Sequence, residues 1–82
     1  MTATPLAEAD AIDRRRLGLL SEREREVLVL TAGGHSMKEI ARRLNRAYAT
    51  IATHRTRIMQ KLDIHDKVAL TRFAIRCGLV DV

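Results

Sequence analysis

At 82 residues the chain holds one domain and is too short for a deep enzymatic cleft, since chains of this size bury only about 60 % of their unfolded surface. Hydrophobic content of 46 % supports a small core, while aromatic content of 2 % (Tyr48 and Phe73) makes that core aliphatic, which suits packed helices better than a β-sandwich. The net charge of +5 is unevenly spread: residues 1–34 sum to −1 and residues 35–82 to +6, a positive surface that either attracts a polyanion such as nucleic acid or is plain solvated helix.

Thr4-Pro5 can open a first helix, with Thr at the N-cap and Pro at the first helical position. Glu8, Asp10 and Asp13 then precede Arg14, Arg15 and Arg16, the order that complements a helix macrodipole, and Gly18 can end the segment. Its apolar stripe of Leu6, Ile12 and Leu17 is sparse, so residues 1–18 read as an N-terminal extension, either helix or linker. Ser21-Glu22-Arg23-Glu24 is a capping box, in which the Ser hydroxyl takes one free amide and the Glu reaches back to another. Val27, Leu28 and Leu30 supply the buried side of the helix it starts, Leu20 stands just ahead as a staple, and Gly33-Gly34 stops it.

Ser36 and Glu39 form a second capping box, followed by Ile40, Ala41 and Leu44 on a buried face two turns long. After a short break, Ile51, Ile58 and Leu62 recur at i, i+7 and i+11, with His54 or Arg55 between them on the inward side. Ala52, Thr56 and Gln60 share an outer stripe, with Thr53 and Arg57 beside it. Asp63-Ile64-His65 makes a turn, and Asp66 caps a last helix running to Gly78 that carries Val68, Leu70, Thr71, Ala74 and Ile75, with Phe73 on a different side as either core or dimer contact. Two short helices joined by a tight turn, the second with Thr and Arg outward, can place one helix in a DNA major groove while the other braces it.

In this register the chain resembles the DNA-binding domain of the LuxR/NarL/FixJ family (GerE-like), a four-helix variant of helix-turn-helix. The matching residues run from Leu20-Ser21-Glu22-Arg23-Glu24-Arg25-Glu26-Val27-Leu28 through Gly34, Ser36-Met37-Lys38-Glu39-Ile40-Ala41 and Leu44. They continue through Thr50-Ile51, His54, Ile58, Lys61-Leu62 and Ala74-Ile75-Arg76-Cys77-Gly78-Leu79.

The resemblance implies an all-α four-helix bundle over residues 19–82, with an extra N-terminal helix as an option. It implies a sequence-specific transcriptional regulator that binds double-stranded DNA as a homodimer, with residues 48–62 as the recognition helix. Ala52, Thr53 and Thr56 match the positions that reach base edges. Lys38, Thr50, Arg55 and Arg57 look placed to hold phosphates. The last helix, 66–77, looks like the dimerisation element, with Val68, Ala69, Arg72, Phe73 and Arg76 as its outward residues; such a dimer sets two recognition helices about one DNA turn apart.

The chain departs from the family pattern at four places. Met37 stands where Asn commonly follows the capping Ser, Arg46 where an apolar residue fills the turn, and Ala47 where Ser or Thr caps the recognition helix. The lost cap costs about 1 kcal/mol unless Asn45 or a shifted start supplies another acceptor. Ala52 replaces a residue that is frequently basic, so the longest direct contact is missing; alanine and threonine can still touch a thymine methyl. Phosphate contacts are therefore expected to supply most of the affinity, with modest base selectivity. An alternative function follows from the same departures: an interaction module that keeps the fold, pairs through helix 66–77 with a related regulator and blocks it.

Other chemistries find little support. Ser36, Glu39 and His54 suggest a triad only superficially, because Ser36 and Glu39 are already explained by capping, and no catalysis is expected. Three scattered His and one Cys lack the paired spacing of zinc sites, so no metal or other cofactor is expected, and no small-molecule substrate is evident. His54 reads as a packed histidine, and Cys77 as a small apolar residue near a helix end. No apolar run approaches the roughly 20 residues of a membrane span, and the acidic N-terminus lacks a secretion-signal layout. A single cysteine fits a reducing cytoplasm, and the DNA-binding role that the resemblance implies adds association with the nucleoid. With only about twenty residues ahead of the motif, no phosphoacceptor or ligand-binding domain is expected there unless the chain is an excised piece.

Overall fold

The helix boundaries beyond the first helix follow from what one or two residues can or cannot offer the backbone. The computed structural model describes residues 6–81, which form α1 (Leu6–Leu17), α2 (Glu22–Ala32), α3 (Met37–Leu44), α4 (Tyr48–Leu62) and α5 (Lys67–Arg76), with no strand among the described residues. The extra N-terminal helix is present as α1; its expected Thr4-Pro5 cap lies outside the described residues. Ser21 Oγ accepts from the Glu24 amide at 3.1 Å and the Glu24 carboxylate accepts from the Ser21 amide at 2.8 Å. Ser36 and Glu39 repeat the arrangement at 3.1 and 2.9 Å. Each box satisfies two amides that the first turn of a helix leaves without an internal partner.

The helix ends differ in how they turn. Gly34, at φ +97°, takes the chain out of α2, a conformation that L side chains rarely adopt. Asn45 and Asp63 occupy the left-handed region after α3 and α4, both at φ 54°. Behind them the Arg46 amide donates to Ala41 O at 2.9 Å and the Ile64 amide to Met59 O at 3.1 Å, closing Schellman-type turns. Asn45 is thereby used to end α3 and not to cap α4. Ala47, extended at φ −67° and ψ 147°, opens α4 with no side-chain cap, as its sequence leads one to expect.

Packing follows the apolar spacing. Val27, Leu28, Ile40, Ile51, Ile58, Leu62, Leu70, Phe73 and Ala74 form the core, closed at its margins by Leu20 and Ile64. α2 lies against both α4 and α5, and α3 lies against α4. Apart from Phe73 this core is aliphatic. Leu30 and Leu44 are half-buried and pack on its rim, as do Met37 and Cys77. α1 touches α4 and α5, Leu17 reaching the core while Ile12 stays exposed.

One expected position is corrected here. Phe73, assigned above to the outward face of the last helix, is fully buried, because α5 rolls that side onto the body and α1 lies over it. Arg76 is also engaged: its Nε donates to Asp13 of α1 at 2.9 Å. Val68, 62 % exposed, and Arg72 remain outward on α5, and Ala69 is half-buried.

Candidate nucleic-acid interface

The side of α4 opposite the core is short-armed and polar. Ile51, Ile58 and Leu62 point into the core, which turns Thr53, Thr56, Arg57 and Gln60 to solvent and leaves Ala52 half-buried beside them. The two threonines spend their hydroxyl hydrogens on their own helix. Thr53 Oγ1 donates to Ala49 O at 3.0 Å and Thr56 Oγ1 to Ala52 O at 3.1 Å. Both hydroxyl oxygens keep the capacity to accept a hydrogen bond.

Positive charge surrounds this face. Residues 36–62 contain Lys38, Arg42, Arg43, Arg46, Arg55, Arg57 and Lys61 against a single carboxylate, Glu39. Glu39 is committed to the cap: hydrogen bonds from the Ser36 backbone, then its side chain, hold its carboxyl below the ordinary value. Lys61 turns away to Glu24, donating a 2.7 Å hydrogen bond to that buried carboxylate. Burial pushes the Glu24 carboxyl up, but Lys61 and the Ser21 amide outweigh it and the net shift is downward. Among the described residues the other six cations of this segment make no ion pair. Their charge is therefore free to meet an external anion, and screening by salt would act on it directly.

Lys38 is exposed near the start of α3, Arg57 is exposed on α4, and Thr50 and Arg55 are half-buried on the first turns of α4. These four sit on two adjacent helices joined by the three-residue turn Asn45–Ala47, where Arg46 is exposed. His54 is half-buried and its Nδ1 is enclosed without a hydrogen-bond partner, the position of a packed histidine. It makes no hydrogen bond to Ser36 or Glu39, so those three residues form no relay. No helix among the described residues is long and apolar enough to cross a membrane.

Sequence reasoning missed the contacts α1 makes. Asp13, Arg16 and Arg76 come together across 63 positions of chain, and nothing in local spacing signals that. Cys77 adjoins them, its Sγ 4.0 Å from the Asp13 carbonyl; burial first, then the Asp13 charge, pushes its thiol up and away from reactivity.

Comparison with known proteins places this geometry. Residues 18–74 match the family described as bacterial regulatory proteins, luxR family. The chain is 43 % identical over 63 residues to the uncharacterized response regulatory protein YgeK of Escherichia coli K12, covering 77 % of this chain and 43 % of that protein. It is 43 % identical over 63 residues to the oxygen regulatory protein NreC of Staphylococcus carnosus, covering 77 % of this chain and 29 % of NreC. It is 42 % identical over 60 residues to the response regulator UvrY of E. coli K12, covering 73 % of this chain and 28 % of UvrY. The chain thus spans less than half the length of these relatives. Among solved structures, full-length FixJ from B. japonicum superposes with a TM-score of 0.78 at 32 % identity, over 94 % of this chain and 39 % of FixJ.

Proposed function

The chain belongs to the luxR family of bacterial regulatory proteins, and from that premise we propose that it regulates transcription by binding double-stranded DNA as a homodimer, with α4 in the major groove. The observation that carries the reading is the set of six cations around α3 and α4 that form no ion pair among the described residues. Lys38, Thr50, Arg55 and Arg57 would hold phosphates and fix the register of α4. Ala52, Thr53 and Thr56 would face base edges, offering small apolar contacts and two acceptor oxygens. Residues 19–82 would form the DNA-binding unit, with 1–18 as its extension, working in the cytoplasm on nucleoid DNA. The relatives named as response regulators suggest that this unit serves the output side of such a protein.

A duplex titration against salt tests the reading. With three cationic phosphate contacts per protomer, log K should fall against log salt with a slope of about −5 for the dimer. A second reading draws on the short arm of Ala52 and the occupied threonine hydroxyls: an interaction module that pairs with a related regulator and blocks it. No duplex binding at low salt, together with a stable complex with another family member, would replace the first reading by the second.

A further inference from the structure

Three charged side chains that DNA contact does not use meet where α1 crosses α4 and α5. Asp13 of α1 is 8 % exposed; one carboxylate oxygen accepts from Arg76 Nε at 2.9 Å and the other lies 3.8 Å from Arg16. Arg16 also donates to the main-chain carbonyl of Leu62, the last residue of α4. Both guanidiniums stand over the Phe73 ring, 5.4 and 5.8 Å from its centroid.

The chemistry of this cluster is directional. The last carbonyls of a helix have no internal donor, and the turn after α4 serves Met59 and Gln60 through the Ile64 and Asp63 amides. Arg16 serves Leu62, and a cation there also suits the negative end of the helix dipole. Two guanidiniums held over one ring repel each other, and the Asp13 carboxylate is what joins them. Neutralising Asp13 would leave two like charges there and, among the described residues, remove the carboxylate paired with both.

We propose that Asp13 is a positioning residue for the DNA-reading helix: by holding Arg16 on the Leu62 carbonyl and Arg76 against α1, it sets how the end of α4 is held against α1. The proposal rests on the DNA-binding reading of α4. It couples the extension α1 to the binding unit of residues 19–82. The FixJ superposition, which covers more of the chain than residues 18–74, includes most of α1 and is consistent with a helix kept in place beside this body.

The test is Asp13→Asn in the full chain, with duplex affinity measured across a salt series. Removing an acid from a DNA-binding protein should, by charge alone, tighten binding. Positioning gives the opposite sign: affinity falls about fivefold, at the low end of coupling between separated elements, and the salt slope stays unchanged because no phosphate partner is lost. Circular dichroism at the binding temperature verifies that the variant is folded. If it is not, Arg16→Lys, which keeps the cation but loses the planar fork, carries the same expectation. Equal or tighter binding by a folded variant overturns the proposal. Amide exchange at Asp63 and Ile64 in the free protein is read alongside and should accelerate in Asp13→Asn. Should the parent chain bind no duplex, the DNA-binding reading fails by itself, and unchanged exchange at those two amides would overturn the clamp separately.

Discussion

Lys61 of α4 and Glu24 of α2 meet at 2.7 Å, and the Glu24 oxygen involved is the one that accepts the Ser21 amide of the α2 capping box. One carboxylate atom therefore ends a local motif and fastens α4 to α2, coupling helix initiation to tertiary packing. Lys61→Ala would leave the Glu24 charge buried with only its local partner. The expected loss is about 1–2 kcal/mol in urea unfolding, less than for a fully enclosed pair because the Lys61 side chain is 38 % exposed.

Acid should weaken the fold through the same group. Glu24 and Glu39 both have folded pKa values below the ordinary 4.5, so the unfolded chain binds more protons than the folded one in the interval beneath that value. Their stabilising contribution is complete well above 4.5 and is lost as pH falls through their folded values. Thermal midpoints should be insensitive to these two groups at neutral pH and drop below about pH 4.5. Glu24→Gln should flatten part of that drop; an unchanged acid profile in that variant contradicts the assignment.

Ala47 sits at the N-cap of α4 in extended backbone with no acceptor to offer. Ala47→Ser supplies one, and stability should rise by about 1 kcal/mol, or about 4–8 °C in Tm for a domain of this size. The fold already holds the backbone in the required conformation, so no rearrangement offsets the gain.

Arg57 is exposed on α4 and makes no ion pair among the described residues. Arg57→Ala should weaken binding to specific and unrelated duplexes by the same factor and reduce the salt slope by about one unit per protomer. A changed base preference would instead place Arg57 at a base edge.

Phe73 and Val68 lie on the same helix and should behave oppositely. Phe73→Ala opens the core and should cost about 3–5 kcal/mol, so it cannot report on dimers. Val68→Glu leaves the core untouched, and helicity should be kept while the two-protomer complex on a palindromic duplex gives way to a one-protomer complex in sedimentation. Full dimer formation by Val68→Glu would remove α5 as the interface.

Much of the fold was legible because its signals are local. The capping boxes at Ser21 and Ser36, the bare N-cap at Ala47 and the cap at Asp66 each depend on residues three or fewer positions apart, and each stands where the spacing put it. The inward side of α4 was legible for a similar reason, since Ile51, Ile58 and Leu62 alone share a helical face. Phe73 was not. Whether it faces the body or solvent depends on how α5 is rolled, and α1 takes part in that from more than fifty residues away. Asp13 was hidden for another reason: an acid ahead of three arginines reads as dipole compensation, whereas the folded chain buries it between two of its arginines.

The composition also makes the molecule its own optical reporter. The chain has no tryptophan and one tyrosine, Tyr48, which is the first residue of α4 and 54 % exposed. All intrinsic emission excited above the phenylalanine band therefore comes from the rim of the face assigned to DNA. Adding duplex should alter that emission without any attached dye, whereas loosening of the aliphatic core, which contains no fluorophore beyond Phe73, should pass almost unseen in the same channel.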